Sequence, residues 1–377
     1  MRFDYTEEQR LLADSVQRFV ARDYTFDTRK GILASAEGAS PEAWRAFADM
    51  GLLALALPSE HGGYGGSAND LASVMEAFGE ALVVEPYLAT IGLGAPLIAR
   101  AGSAAQRAAI LPGVADGTLK LAFAFTEEDS RYDLARVSTR ARRDGEGWIL
   151  EGAKRVVLGA PLADRVVVSA RTAGAASDGR GVSLFLVDPK AAGVVQSAYR
   201  TLDGMRAADL RFTRVRLGAD AIMGDEGASL PTIEAVVDYA TALLCWEAVG
   251  AMRYASEATL EYLKSRKQFG VPIGSFQALQ HRMVDMMIEL EQARSMASFA
   301  CAHVDGDAPA AERRRVVSAA KIKIADACRQ VSQESVQLHG GMGMTDELKV
   351  SHTFRRLTVI AQQFGDADYH LERYATP

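Results

Sequence analysis

"RKQFGVPIGSFQALQHR", Arg266–Arg282, is the stretch on which the reading of the fold turns. Apolar residues recur at helical spacing on both sides of it. Leu243, Leu244, Val249, Met252, Ala255 and Leu263 share one face before it, and Leu279, Met283, Met286, Leu290 and Ala293 share one after it. Gly270 and Pro272 interrupt that pattern. They predict a helix that stops at Gly270, a turn of about five residues, and a second helix that restarts with polar side chains facing back. The join between two long helices therefore carries Arg266, Gln268, a Phe-Gly pair, Pro272 and then Gln277.

Working outward, "AAERRRVVSAAKIKIADACRQVSQESVQL" and "LKVSHTFRRLTVIAQQF" read as two further helices, so residues 227–377 are expected to form a C-terminal four-helix bundle. Residues 117–226 differ in character. "LKLAFAF", "GWILEGAKRVVLG", "DRVVVSAR", "GVSLFLVD" and "VVQSAY" are short β-rich runs divided by Gly, Asp and Pro clusters, which predicts an antiparallel β domain. Residues 1–116 read as helical. "TEEQRLLADSVQRFVARD" carries a capping-box pattern in Thr6 and Gln9, and "PEAWRAFADMGLLAL" and "LASVMEAFGEALVVEP" close at Gly51 and Pro86. "SEHGGYGGS" is rich in glycine, but no phosphate-loop lysine follows it, so it reads as a turn. The fold class is α+β and multidomain, in the order helices, β, helices.

Composition narrows the function. The 377 residues are 49% hydrophobic with a net charge of −6, enough for a sizeable core and unsuited to general nucleic-acid binding. Cys245, Cys301 and Cys328 are scattered, which argues against a disulfide framework or a zinc site and fits a reducing cytoplasm. His352 and His370 lack ligand spacing with carboxylates, so no metal is expected. "MRFDYTEEQR" is charged from its second residue, unlike a signal peptide, and no uninterrupted apolar run has the length of a membrane span.

The motifs together resemble the acyl-CoA dehydrogenase family. "RKQFG" with "PIGSFQALQHRMVDM" resembles that family's RxxFGxxI…FQ signature, and "QLHGGMGMTDE" its Q-x-x-GG-x-G segment. "LAFAFTEED" looks like its TE flavin strand, and "LEGAKRVV" like its G-x-K strand. The similarity spans almost the whole chain and includes the branch of pimeloyl-CoA or steroid side-chain type. It implies α,β-dehydrogenation of an acyl-CoA thioester with non-covalent FAD, as in fatty acid metabolism, with electrons passing to an electron-transferring flavoprotein. It also implies a tetramer. Arg266 offers a planar cation suited to a pyrophosphate, and Phe269 a ring for a flavin or adenine face. Gln277, Gln337, Gly340 and Gly341 belong to the same reach toward a neighbouring subunit's cofactor. Phe125 and Thr126 belong to the chain's own flavin strand. His281 and His339 flank the two cofactor segments.

The chain departs from the family pattern in two places. Aligned on Leu371-Glu372-Arg373, the usual base falls on Asp366 and the following Thr on Asp368. Aligned on Arg355-Arg356, it falls on Phe364 and no base is present. A second family position for the base falls on Ala240, two residues from Asp238. Asp366 and Asp368 also fit an ordinary acidic helix N-terminus. Along the flavin strand, Lys154 is followed by Val156, Val157, Leu158 and Gly159 where the resemblance implies Trp and Thr, and "TEEDSRYD" replaces a run of small residues. The half that serves a neighbour is thus intact and the half that serves the chain's own flavin is eroded. That asymmetry points to one subunit of a heteromer sharing FAD sites with a paralogue. Two other readings remain: a non-catalytic partner subunit, and a monooxygenase or nitroalkane-oxidase-like member of the same fold.

Overall fold

The computed structural model describes residues 6–305 and 308–376, so residues 1–5, 306, 307 and 377 of the segments above lie outside the described residues. Helices α1 (Glu7–Arg22), α2 (Phe26–Ala34), α3 (Pro41–Asp49), α4 (Ala68–Ala81), α5 (Ala95–Ala101) and α6 (Ala104–Ala115) come first. Strands β1 (Leu121–Ala124), β2 (Arg140–Asp144), β3 (Gly147–Leu158), β4 (Arg165–Arg171), β5 (Val182–Val187), β6 (Val194–Arg200), β7 (Arg206–Leu217) and β8 (Ile222–Met223) follow. Helix α7 (Leu230–Ser265), a hairpin of β9 (Lys267–Gln268) and β10 (Val271–Pro272), and helices α8 (Gln277–Val304), α9 (Ala310–His339), α10 (Lys349–Gln362) and α11 (Ala367–Ala375) complete the chain. This is the expected order of helical, β and helical domains. α11 adds a fifth helix to the four expected at the C-terminus.

These elements form two compact units: the described residues of Met1–Gly31, Ala68–Val83 and Thr241–Pro377, and those of Ile32–Ser67 and Val84–Ala240. In the first unit the capping box of α1 is formed on both sides. The Gln9 N–H donates to Thr6 Oγ1 at 3.2 Å, and the Thr6 N–H donates to Gln9 Oε1 at 2.9 Å. α4 crosses α7 through a reciprocal pair of glycines. A Cβ on Gly79 would overlap the Glu247 carbonyl oxygen, and a Cβ on Gly250 would overlap the Glu76 carbonyl oxygen. Beside this contact the Glu76 carboxylate meets Arg294 at 3.1 Å and Arg253 at 3.4 Å. α7 is long and apolar enough to cross a membrane, but 94% of its most apolar stretch is buried inside the fold, as in a core helix.

The second unit holds the sheet, in the order β6-β7-β3-β2-β4-β5-β8, with β1 paired to β4. Its neighbours are antiparallel except β1–β4 and the single β2–β4 pairing, which are parallel. Trp148, Leu150, Val168, Phe185, Leu210 and Phe212 fill its core. β2, β7 and the two-residue β8 are additions to the β runs expected from the sequence. β7 alternates inward Ala208, Leu210 and Phe212 with Asp209 and Arg211, which hides its apolar face in a charged string.

The join at Arg266–Arg282 differs from its expected form. α7 ends at Ser265 rather than Gly270, and the next residues pair as a two-residue hairpin with Val271 opposite Gln268. Phe269 (φ 55°) and Gly270 (φ 83°) occupy its two central positions, the left-handed pair of a type I′ turn. Phe-Gly is not the usual dipeptide for that turn, and phenylalanine is strained there.

Gly250→Ala is expected to destabilise the protein by about 3 kcal/mol, because the crossing helices must separate to admit a methyl group. Gly341→Ala, where an added Cβ meets nothing within 4 Å, is expected to stay within about 0.5 kcal/mol of wild type. Denaturant unfolding of the two variants checks the contrast.

Candidate functional site

In the first unit the two sequence segments that promise a cofactor face are brought together by a residue that sequence reasoning does not single out. Tyr262, one turn before Arg266, stacks on His339 with ring centroids 4.5 Å apart. His339 immediately precedes Gly340. It is buried, its Nδ1 lies 2.8 Å from the Ser335 carbonyl, and burial lowers its basicity. Its role is structural: it anchors the end of α9 against the end of α7. Ser335 is held in turn by Thr259, hydroxyl to hydroxyl at 2.7 Å.

Around this anchor the expected cofactor residues face outward. Arg266, Gln277, Gln337, Gly340 and Gly341 are exposed, and Phe269 is 90% exposed. Phe276, the residue before α8, meets Phe269 edge to face at 6.2 Å. The face therefore combines a permanent cation, two rings, two amides and bare backbone. Gly340 is required by its φ of 60°, not by crowding, since an added Cβ there also meets nothing within 4 Å. His281 is exposed on α8.

Asp366 lies elsewhere in this unit, at the turn from α10 to α11. It is the N-cap of α11 and accepts from the Tyr369 N–H at 2.9 Å. Asp368 is in the first turn of the same helix. Both line a cleft of about 590 Å³ whose walls include Arg329, Gln333, Thr358 and Gln362. The preceding residues are tightly held. Phe364 has φ 62° and Gly365 φ 127°, and the buried Lys321 donates to the Gly365 carbonyl at 2.8 Å and the Ala361 carbonyl at 3.1 Å. His370 Nε2 lies 3.2 Å from the Phe364 carbonyl and its Nδ1 3.2 Å from Ser318 Oγ. A carbonyl only accepts, so Nε2 carries the proton and Ser318 donates to Nδ1. Burial, reinforced by the Lys321 and Arg373 cations, pushes the His370 imidazole down to about 3.

In the second unit Phe125 and Thr126 are half-buried at the end of β1, and Phe125 stacks on Phe123 at 4.8 Å. The acid beside them is committed to structure. Glu127 accepts from Lys154 at 2.8 Å and from the Ser138 and Thr139 amides at 2.7 and 3.0 Å. Lys154 also donates to Ser169 at 2.9 Å, and burial pushes its ammonium down to about 8 against the pull of Glu127. Two bulky residues here are strained. Val156, at a bulge in β3, has φ 49°, and Arg131, in the loop after β1, has φ 46°. Asp238, near the alternative base position, is buried on α7, and Ala240 is buried beside it. Among the described residues no group of His, Cys, Asp and Glu is arranged to hold a metal ion.

Models of the acyl-CoA dehydrogenase N-terminal, middle and C-terminal domains match residues 6–118, 122–216 and 230–376. The chain belongs to the acyl-CoA dehydrogenase family. It is 32% identical over 371 residues to the acyl-CoA dehydrogenase FadE12 of Mycobacterium tuberculosis, covering 95% of this chain and 93% of that one. Among solved structures, a variant of the Tcur3481-Tcur3483 steroid ACAD is similar with a TM-score of 0.86 and 29% identity, over 98% of this chain and 96% of that one. The ChsE4-ChsE5 complex from Mycobacterium tuberculosis is similar with a TM-score of 0.89 and 26% identity, over the full length of both.

Family membership makes the chain an FAD-dependent oxidoreductase of acyl-CoA dehydrogenase type. The donor set of the exposed face in the first unit fits part of such a cofactor: a guanidinium for a diphosphate, rings for an adenine, and uncovered glycine backbone.

The His370 environment sets a pH signature. Its unfolded value is about 6.5 and its folded value about 3. Between these the unfolded chain binds a proton that the native chain does not. Stability is therefore expected to fall as pH drops from about 6.5 toward 3, and His370→Gln should flatten the slope by about one proton. Urea unfolding across that range measures it.

Proposed function

We propose that this chain dehydrogenates acyl-CoA as one of two unlike subunits that share FAD sites in a tetramer. The observation that carries this reading is the contrast between its two cofactor segments. The Arg266–Gly341 face is turned wholly outward, with Phe269 in a strained conformation that gains almost nothing inside the chain. The chain's own flavin segment instead carries Arg131 and Val156, where the family pattern has a small residue and a tryptophan. The structural neighbours named for two proteins each, Tcur3481-Tcur3483 and ChsE4-ChsE5, support the arrangement.

In this reading the segments 1–116, 117–226 and 227–377 act as three domains, and the matched family segments support those boundaries. Arg266 pairs with the diphosphate of a cofactor shared with the neighbouring subunit, Phe269 covers its adenine, and Gln277, Gln337, Gly340 and Gly341 complete the contact. Phe125 and Thr126 supply what this chain offers to its own side. FAD, when bound, supplies the hydride acceptor for the β-carbon. Asp366 takes the α-proton of the acyl-CoA, and the electrons leave to an electron-transferring flavoprotein. The buried free thiols support a reducing compartment, the cytoplasm. The hydrogen bond from Tyr369 to Asp366 favours a second reading, in which that carboxylate is only a helix cap and the paralogue supplies the base.

Flavin content decides the assembly. The chain expressed alone is expected to be colourless, and to carry one FAD per two chains when co-expressed with its paralogue. One tightly bound FAD per chain in a homotetramer overturns the shared-site reading. In the assembled enzyme Asp366→Asn is expected to lower kcat roughly a hundredfold or more with FAD content unchanged. Full activity in that variant assigns the base to the other chain. Arg266→Gln is expected to weaken FAD retention by about tenfold or more, read by equilibrium dialysis of the complex.

A further inference from the structure

Two buried basic side chains grip one short turn from opposite directions, and nothing in the reaction as described so far uses either. Lys321, on α9, has no exposed surface, and among the described residues no carboxylate is in hydrogen-bond contact with it. Its ammonium donates to the carbonyls of Ala361 and Gly365. His370, on α11, donates through Nε2 to the Phe364 carbonyl. The imidazole is itself fixed by a relay: Arg373 Nη1 donates to Ser318 Oγ at 3.4 Å, and Ser318 donates to His370 Nδ1. Three carbonyls of residues 361–365 are thus held by two donors. The backbone they hold includes the left-handed Phe364 and Gly365.

The turn also has no slack. A Cβ added at Gly365 would lie 2.5 Å from His370 Nε2 and 2.5 Å from Tyr369 Cδ1. The next residue is Asp366. Its position is set by this turn on one side and by its cap bond to Tyr369 on the other. A buried ammonium is costly to desolvate, and an aliphatic side chain would fill the same space without that cost. The burial is the largest influence on Lys321 and pushes it down to about 8. The groups around it are Cys245 on α7, Cys328 on its own helix, and Asp366 and His370 at α11.

We propose that Lys321 is a positioning residue for the dehydrogenation: it fixes the α10–α11 turn so that Asp366 is presented at a set place on the cleft beside α11. This rests on the reading of Asp366 as the base, and the experiment separates the two.

The assembled, FAD-loaded enzyme is prepared as wild type, Lys321→Met, Lys321→Arg and Asp366→Asn. Hydrogen–deuterium exchange of the peptides spanning residues 361–370 is measured by mass spectrometry. Turnover is measured with octanoyl-CoA and a ferrocenium acceptor across pH 6–10. In Lys321→Met, exchange at 361–370 is expected to rise about tenfold or more while α7 and α8 stay protected. Its kcat is expected to fall about tenfold or more, with KM and FAD content within about twofold of wild type. The wild-type kcat profile is expected to bend near pH 8, where Lys321 loses its proton, and the bend should be missing in Lys321→Met. Lys321→Arg, which keeps a cationic donor, should recover part of the protection and of kcat.

Unchanged exchange at 361–370 in Lys321→Met overturns the proposal, and so does a loosened turn with undiminished kcat. If octanoyl-CoA is not turned over by wild type, exchange alone decides whether Lys321 holds the turn. If Asp366→Asn keeps its activity while Lys321→Met loses it, the base reading fails and the positioning role stands for another group on the turn. Should Lys321→Met fail to fold, Gly365→Ala displaces the same turn from the His370 side and replaces it in the exchange and kcat measurements, while the loss of the bend near pH 8 is read in Lys321→Arg.

Discussion

The first unit depends on the crossing of α4 and α7, where Gly79 and Gly250 each leave room for a carbonyl of the opposite helix. No side chain larger than hydrogen fits at either position, so the contact permits one register and no other. That register fixes α7, and α7 fixes what lies at its end. Tyr262 can stack on His339 only if α7 neither slides nor rotates, and the stack joins the Arg266 hairpin to the glycines that follow α9. The candidate cofactor face is therefore positioned by a contact that contains no cofactor residue. The Glu76–Arg253–Arg294 cluster beside the crossing adds direction to it, since a buried carboxylate must keep its cations close.

Among the described residues six non-glycine positions have positive φ, and two of them, Leu82 and Arg214, lie outside the cofactor and base segments. Val156, Arg131, Phe269 and Phe364 all hold left-handed backbone that costs of order 1–3 kcal/mol per residue. Each lies in or beside a segment that the family pattern associates with cofactor or base. Around Val156 and Arg131 the surroundings over-determine the backbone. The Val156 N–H donates to Asp209, Arg155 bridges Glu128 and Asp209, and Arg171 donates to several carbonyls of the neighbouring loops. The Phe364 turn is over-determined by Lys321 and His370. In the second unit the strained backbone at Val156 is thus held by hydrogen bonds to Asp209, a residue of the neighbouring strand.

Most of the architecture is legible in the chain because each domain announces itself by period. Thr6 and Gln9 carry a capping box that forms as expected, and the helical spacing around α7 to α10 survives intact. What is hidden has a physical cause in each case. β7 mixes arginines and an aspartate into its outward face, and β2 reads as RARRD, so neither looks apolar. The type I′ turn is concealed because it is normally signalled by Asn-Gly or Asp-Gly, and here a phenylalanine bears the positive φ. His339 looks like a cofactor neighbour in one dimension, yet its ring is turned inward onto Tyr262. Lys321 gives no signal at all, because a lysine in a charged amphipathic helix looks like a surface residue until the neighbouring helices close over it.

Phe269 separates the demands of folding from those of assembly. A residue that is 90% exposed and backbone-strained lowers the stability of the chain that carries it. Its aromatic neighbour, Phe276, is itself 40% exposed, so the pair shields little from water. Gly340 and Gly341 likewise leave room that none of the described residues uses. Under the proposed shared-site reading the return comes from outside, from a surface that covers the ring and approaches the bare backbone. The buried pair Glu127–Lys154 is the reverse case: its oxygens and protons are already committed to partners within the fold. Two segments of one chain, one turning its polar groups inward and the other holding them out, are what a subunit needs if it completes a neighbour's site more fully than its own.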